Sequence, residues 1–239
     1  MGLRVRPAAQ VCENGRVDAS NLIQTVLIYA LPVLFAITVH EAAHGYVARH
    51  FGDNTALMMG RITLNPIKHI DPIGTILMPL LLYFATSGAF LFGYAKPVPV
   101  NFSHLRNPKR DMIWVALAGP LANFIQAILW ALLLIVLVAF GVNERFFLAM
   151  AKAGVMVNLV MWAFNLFPLP PLDGGRVLVG LLPWKQAQWL ARLEPYGFFI
   201  VMGLVIAGVV SDYWLQPLMT AGYYVISLLM MPFRALLVG

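Results

Sequence analysis

The chain has 239 residues, 61% of them hydrophobic and only 11% charged, with a mean hydropathy of +0.80. A soluble domain is about half apolar and about a quarter charged, so these few charges cannot cover a water-facing surface; the chain reads as a polytopic membrane protein. The net charge of +6 rests on Lys and Arg placed mostly between apolar runs, as the positive-inside rule expects, which argues against nucleic acid as a partner.

Residues 1–20 carry Arg4, Arg6, Glu13, Arg16 and Asp18 and no apolar core of signal-peptide length, so they read as a short tail. Cys12 is the only cysteine, which excludes an internal disulfide and a multi-thiolate zinc site. The uncharged run 21–39 is long enough nearly to cross a bilayer, and its helix is expected to continue through HEAAHGYVARHF to about Phe51. Pro32 is a tolerated kink in such a helix. Gly52 and Asp53 end it.

Residues 60–70, GRITLNPIKHI, are more polar, and 61–64 have the length and character of a short strand. Residues 72–94 are apolar but interrupted by Pro79 and by Thr86-Ser87-Gly88. Residues 96–110 form a basic loop, followed by apolar helices over 112–142 and 153–167. The latter leads into PLPPLDGGR, and further apolar segments cover 196–210 and 214–230. The predicted class is all-α, with about five to six membrane segments and a small β or re-entrant element after the first helix.

Charge decides between two topologies. Arg49, Arg61 and Lys68 precede segment 72–94, and Lys96, Arg106, Lys109 and Arg110 follow it. If both flanks are cytoplasmic, that segment re-enters and the N-terminus lies outside. If it spans, the N-terminus lies inside. The charge bias favours re-entry.

His40 and His44 are four apart on a helix, about 40° apart around its axis, so two imidazoles can reach one ion. Glu41 flanks the same face, as the H-E-x-x-H pattern of metallohydrolases requires. Ionisable groups within an apolar helix are costly and point to function. A catalytic zinc site needs a third protein ligand and an open position. Asp173 stands in apolar surroundings after Pro168, Pro170 and Pro171, where broken backbone at membrane depth must line a wet cavity or be buried in protein. From the residues alone Asp173 is either that third ligand or the cap of the next helix. His50, His69 and His104 read as surface or interfacial histidines, although His69 and Asp71 are placed where they can orient a site indirectly. Trp184, Trp189 and Trp214 read as interface anchors.

HEAAHGYVARHFGD together with NLFPLPPLDGGR resembles the site-2 protease family of intramembrane metalloproteases. ALAGPLAN resembles that family's third core motif, and GRITLNPIKHIDPIGTILMP and FGYAKPVPVN resemble its small stand-alone prokaryotic members. The resemblance runs from Leu22 to about Arg192. It implies one zinc ion per chain held by His40, His44 and Asp173, with Glu41 as general base and later acid. It implies that Asn165 hydrogen-bonds the substrate backbone. Asn123 is placed near the site, as a second substrate contact or as a helix–helix hydrogen bond. The implied substrates are single-pass membrane proteins cut in or near the bilayer. The implied location is the cell membrane, with the site towards the cytoplasm. An unwound substrate is expected to add to an edge at 61–64.

On this reading residues 21–239 form one transmembrane metalloprotease domain with its core over 21–192. The short connection at 143–152 leaves no room for the PDZ-like insertion of many relatives, and no CBS-like domain is expected at the C-terminal end. A metal transporter would show a path of intramembrane ionisable groups, and only one cluster is present. An inactive relative is disfavoured by the intact Glu41.

Overall fold

The computed structural model describes residues 19–78, 81 and 96–237. The N-terminal tail and most of segment 72–94 lie outside them, and so does the choice between re-entry and spanning. The first helix, α1 (Ala19–His50), runs without a break through buried Pro32 and ends at the sequence-expected place. Gly52 turns the chain at φ +111°, a left-handed value that glycine adopts without steric cost. Asp53 then accepts hydrogen bonds from Thr55 N (3.0 Å) and Asn101 N (2.7 Å), tying α2 (Thr55–Met58) to the later loop.

Among the described residues there is no strand, which corrects the expectation for 61–64. The reason is local. Asn65 N donates to Thr63 Oγ1, Ile67 N donates to Asn65 Oδ1, and the Thr63 carbonyl faces His69 Nε2 at 2.9 Å. These side chains bond backbone groups of residues 63–67 locally, and Arg61 N bonds back to Ala56 O (2.8 Å), so the segment turns instead of extending into a strand. His69 is buried rather than interfacial, another correction, because its ring closes that turn. Asp71 caps a single wide helical turn, Pro72–Leu77, by accepting from Ile73 N and Gly74 N.

The central helix is α3 (Pro108–Ala139), with Pro108 in its first turn, where no N–H is needed. The next, α4 (Arg145–Asn165), begins well before the predicted 153. Arg145 and Lys152, seven residues apart and both exposed, share one helix face, so these charges are accommodated without ending the helix. After the proline-rich break come α5 (Asp173–Leu181), α6 (Trp184–Ala191) and α7 (Glu194–Ile206). A 69° bend separates α6 from α7, with Pro195 in the first turn of α7. The last helix, α8 (Gln216–Leu237), continues from a wide turn at Ser211–Leu215.

Four helical stretches among the described residues are long and apolar enough to cross a membrane: Ile23–His50, Pro108–Ala139, Arg145–Asn165 and Ser211–Leu237. The bent α6–α7 pair would make a fifth. α3 packs against α1, α4, α5 and α8. Small residues on α3, Ala127 and Ala131, meet Val155 and Leu159 of α4 and Ile226 and Met230 of α8 in one core. Small side chains let apolar helices approach closely where lipid supplies no hydrophobic drive between them. Leu121, Ile125 and Leu129 of α3 and Val26 and Phe35 of α1 stay exposed, as the lipid-facing belt of a membrane protein does.

Candidate metal centre

Three side chains from two distant parts of the sequence meet inside this bundle. His40 and His44 project from one face near the end of α1, and Asp173 opens α5. All three are buried. Their Nε2 atoms lie 3.0 Å apart and sit 3.2 and 3.3 Å from Asp173 Oδ2. One ligating atom from each residue falls within a 4.8 Å group, the one such group of three among the described residues.

The hydrogen bonds behind the rings show what this group can hold. His40 Nδ1 faces Asn123 Oδ1 at 2.6 Å, and His44 Nδ1 faces the Val115 carbonyl at 2.7 Å. Both partners are oxygens; the carbonyl can only accept, and Asn123 uses its amide nitrogen on Ala36 O (3.1 Å). Each Nδ1 therefore carries a proton, which leaves Nε2 as the atom each ring turns inward towards a metal. Asp173 Oδ2 is itself buried and accepts no hydrogen bond. Two inward Nε2 atoms and a buried carboxylate oxygen this close together are a donor set that one divalent cation can satisfy. The residues fit zinc by donor type as well, with two imidazoles and one carboxylate.

The backbone around the group explains how it closes. Gly119 of α3 lies so near that a Cβ there would meet His44 Nε2 and come to 2.6 Å from His40 Nε2. On α5 a Cβ at Gly174 would run into the Leu166 carbonyl, and one at Gly175 into the backbone at Leu169 and Pro170. The glycines after Asp173 thus let the first turn of α5 lie directly on the proline-rich break, which delivers the carboxylate to the histidines.

A cavity of about 710 Å³ opens on the group, with His40, Glu41, His44, Asn165, Asp173 and Arg176 among the residues lining it. Glu41 is half-buried, and its Oε2 accepts from Val98 N at 2.7 Å. Val98 is the single N–H donor between Pro97 and Pro99. Its segment is held by buried Arg61, whose Nη2 donates to the Lys96 carbonyl (2.9 Å), and by Lys96 N donating to the His69 carbonyl (3.0 Å). His69 and Asp71 therefore stay away from the metal group, and His69 reaches Glu41 only through this segment. Asn165 lines the cavity and donates Nδ2 to Met161 O (3.0 Å), one turn back in α4. Asn123 does not line it: the residue has no exposed surface and stands behind His40, so it is a partner of the ring and not a group facing substrate.

Sequence reasoning missed the groups that orient these side chains. Val115 O and Val98 N are backbone atoms and leave no trace in residue identity. Gly119 lies within ALAGPLAN, where its close approach was not read. Asn158, a fully buried amide in the apolar helix α4, accepts from Asn123 Nδ2 at 3.0 Å and was legible as a polar residue at membrane depth.

Helices of membrane length enclosing a zinc-competent His–His–Asp group beside a carboxylate define a polytopic membrane metallohydrolase. Residues 28–156, more than half of the chain, match the Peptidase family M50 model, and the chain belongs to that family. It is 38% identical over 201 residues to "Putative zinc metalloprotease YwhC" of Bacillus subtilis, covering 80% of this chain and 85% of that protein. It is 30% identical over 185 residues to "Putative zinc metalloprotease Rip2" of Mycolicibacterium smegmatis, covering 77% and 68%. A zinc metalloprotease of Methanocaldococcus jannaschii is 27% identical over 166 residues, 70% of this chain and 37% of that one. No solved structure matches the chain. The protein is a multi-pass membrane zinc metalloprotease.

Proposed function

We propose that the protein hydrolyses peptide bonds in or near the transmembrane segments of single-pass membrane proteins, with His40, His44 and Asp173 as zinc ligands and Glu41 as general base. The observation that carries the reading is the position of the group. The donors His40, His44 and Asp173 and a second carboxylate, Glu41, line one cavity among helices of membrane length. Zinc held there would supply Lewis acidity, acidifying a water and polarising the carbonyl under attack.

The chain's own residues do the rest. Glu41 takes the proton of the attacking water and returns it to the leaving amine. The Val98 N–H fixes one carboxylate oxygen of Glu41, leaving the other for that transfer. A substrate helix hides its carbonyls in i→i−4 bonds, so it must unwind before attack. Asn165, which lines the cavity, offers its amide to the freed backbone. The apolar lining at Val98, Phe102 and Phe198 suits the side chains of a membrane segment.

Orientation follows from charge. The end of α1, the start of α3 and the start of α5 lie at the same end of the bundle as the metal group, and Arg49, Arg106, Lys109 and Arg110 cluster in those segments. This supports placing the site towards the cytoplasmic face of the cell membrane. A cysteine introduced beside Arg110 is expected to react with a membrane-impermeant reagent only when the cytoplasmic face is open; labelling of intact cells from outside would reverse the assignment.

The catalytic assignment is tested with two variants. Glu41→Gln should keep one zinc per chain and lose cleavage of a single-pass substrate in proteoliposomes. Cleavage within tenfold of wild type would remove Glu41 from the role. Asp173→Ala should lose zinc; full zinc content would mean that another residue supplies the third ligand.

A further inference from the structure

The polar chain behind His40 does not stop at Asn123. Asn123 lies on α3 and donates Nδ2 both to Ala36 O of α1 (3.1 Å) and to Asn158 Oδ1 of α4 (3.0 Å). Asn158 in turn donates Nδ2 to Gly154 O (2.9 Å), one turn back in its own helix. Both asparagines have no exposed surface. The hydrogen bonds His40–Asn123–Asn158–Gly154 therefore form one buried line across three membrane-length helices.

This line has a direction, and the direction can be worked out from its far end. A backbone carbonyl can only accept, so the Asn158 atom facing Gly154 O must be the amide nitrogen. The other arm of Asn158 is then its oxygen, which can only accept, so the Asn123 atom facing it must be nitrogen. Ala36 O imposes the same choice on the same nitrogen. The Asn123 oxygen is left facing His40 Nδ1, which must donate, so Nε2 is the atom left for the metal. Flipping either amide sets two oxygens, or two N–H groups, against each other at about 3 Å. In a dry helical bundle each such unpaired buried group costs on the order of 1–3 kcal/mol.

We propose that Asn158 is a positioning residue of the metal centre: it holds the Asn123 amide in the orientation that keeps His40 in its zinc-binding tautomer. Ala36 O alone pairs one of the two hydrogens on Asn123 Nδ2; Asn158 pairs the other. Without Asn158 that second hydrogen is buried and unpaired, and the amide is held by Ala36 O alone, so both it and the His40 ring it positions are less firmly fixed. Metal-centre partners of this kind change metal affinity by about 10- to 100-fold when removed. Asn158 stands one contact further out, so the lower end of that range is the expected size.

The inference rests on His40 being a zinc ligand, and the experiment separates the two claims. Full-length protein in detergent is titrated with zinc against a competing chelator, and with cobalt(II) followed by its visible absorption. His40→Ala is the reference for the ligand claim. Asn158→Leu, which removes the amide at similar volume, should weaken zinc binding about tenfold and broaden or weaken the cobalt bands. Asn158→Asp should stay within about threefold of wild type, because a protonated carboxyl accepts from Asn123 and donates to Gly154 O in the same geometry. If Asn158→Leu does not fold, Asn158→Ala takes its place with the same expected loss. Wild-type zinc affinity in the Leu or Ala variant would overturn the inference, as would equal losses in the Leu and Asp variants, which would mark a packing role only. Wild-type affinity in His40→Ala would overturn the ligand assignment itself.

Discussion

Gly119 is the position where the smallest substitution should have a large, specific effect. A single methyl group at Gly119 would meet His44 Nε2 and lie 2.6 Å from His40 Nε2 and from His40 Cε1. An ordinary carbon–nitrogen contact is about 3.5 Å, so roughly 1 Å of separation must be found. The rings cannot supply it freely, because each is tied through Nδ1 to α3 itself, at Asn123 and Val115. Either α3 moves off α1 or those tethers break. Overpacking of a well-filled site costs typically about 1–3 kcal/mol, and at about 1.4 kcal/mol per decade this corresponds to roughly 5- to 150-fold in zinc affinity if the strain falls on the bound state. The assay is zinc retention by Gly119→Ala after dialysis against a graded series of chelator, alongside cleavage of a membrane substrate. Thermal unfolding of the zinc-free protein is the control, since strain spread over the whole helix contact would lower stability without zinc as well. Zinc affinity within twofold of wild type together with unchanged stability of the zinc-free protein would refute the reasoning, because it would mean that the two helices separate at little cost.

Val98→Pro removes the N–H that holds Glu41 Oε2 while leaving the zinc donors in place. Substrate turnover should drop by about tenfold or more at unchanged zinc content, and Val98→Ala, which keeps the N–H, should lose several-fold less; equal losses in the two would assign the effect to the side chain. Asp53 links the end of α1 to the loop at Asn101 and lies outside the spanning stretch. Burial pushes its carboxyl up, but hydrogen bonds from Thr55 and Asn101 outweigh this and hold it below the usual carboxylate value. A carboxyl lowered on folding contributes stability above its unfolded value of about 3.9, and that contribution is lost as pH falls through the folded value. Asp53→Ala should therefore lower the unfolding midpoint at pH 7, with the gap to wild type closing below about pH 4; a gap that stays constant down to pH 2 would mean that its ionisation contributes nothing.

The long apolar spans and the two histidines were legible because each has a one-dimensional signature, whereas the residues alone leave Asp173 open between ligand and helix cap. An uncharged run long enough for a bilayer and a four-residue histidine spacing are both readable along the chain, and the prolines before Asp173 announce a break at membrane depth. What escaped was set by neighbours. The residue types at 61–64 suit a strand, whereas the Thr63, Asn65 and His69 side chains bond backbone groups of residues 65, 67 and 63 and turn the chain. The start of α4 was placed late because Glu144, Arg145 and Lys152 look like a loop in sequence, and only the helix shows that Arg145 and Lys152 share an exposed face. The Val98 contact to Glu41 joins residues far apart in the chain through a backbone atom, so no pattern of side chains encodes it.

α3 contributes none of the three donors, yet it sets the geometry of the group. Val115, Gly119 and Asn123 recur every four residues along α3 and so form one stripe, which faces the stripe of Ala36, His40 and His44 on α1. Their contacts run in opposite senses, Val115 with His44 and Asn123 with His40 and Ala36, so the two helices pair antiparallel with Gly119 between the rings. Each position does something different: a carbonyl fixes one imidazole, an amide fixes the other, and an absent side chain leaves room for both. The register between the helices is thereby part of the metal site, because sliding α3 by one turn would bring Val115 or Asn123 to the place only Gly119 can fill. The His–Glu–x–x–His segment supplies two donors and the carboxylate beside them. Whether those donors are bare, aligned and close enough for one ion is decided by α3 and, through Asn158, by α4.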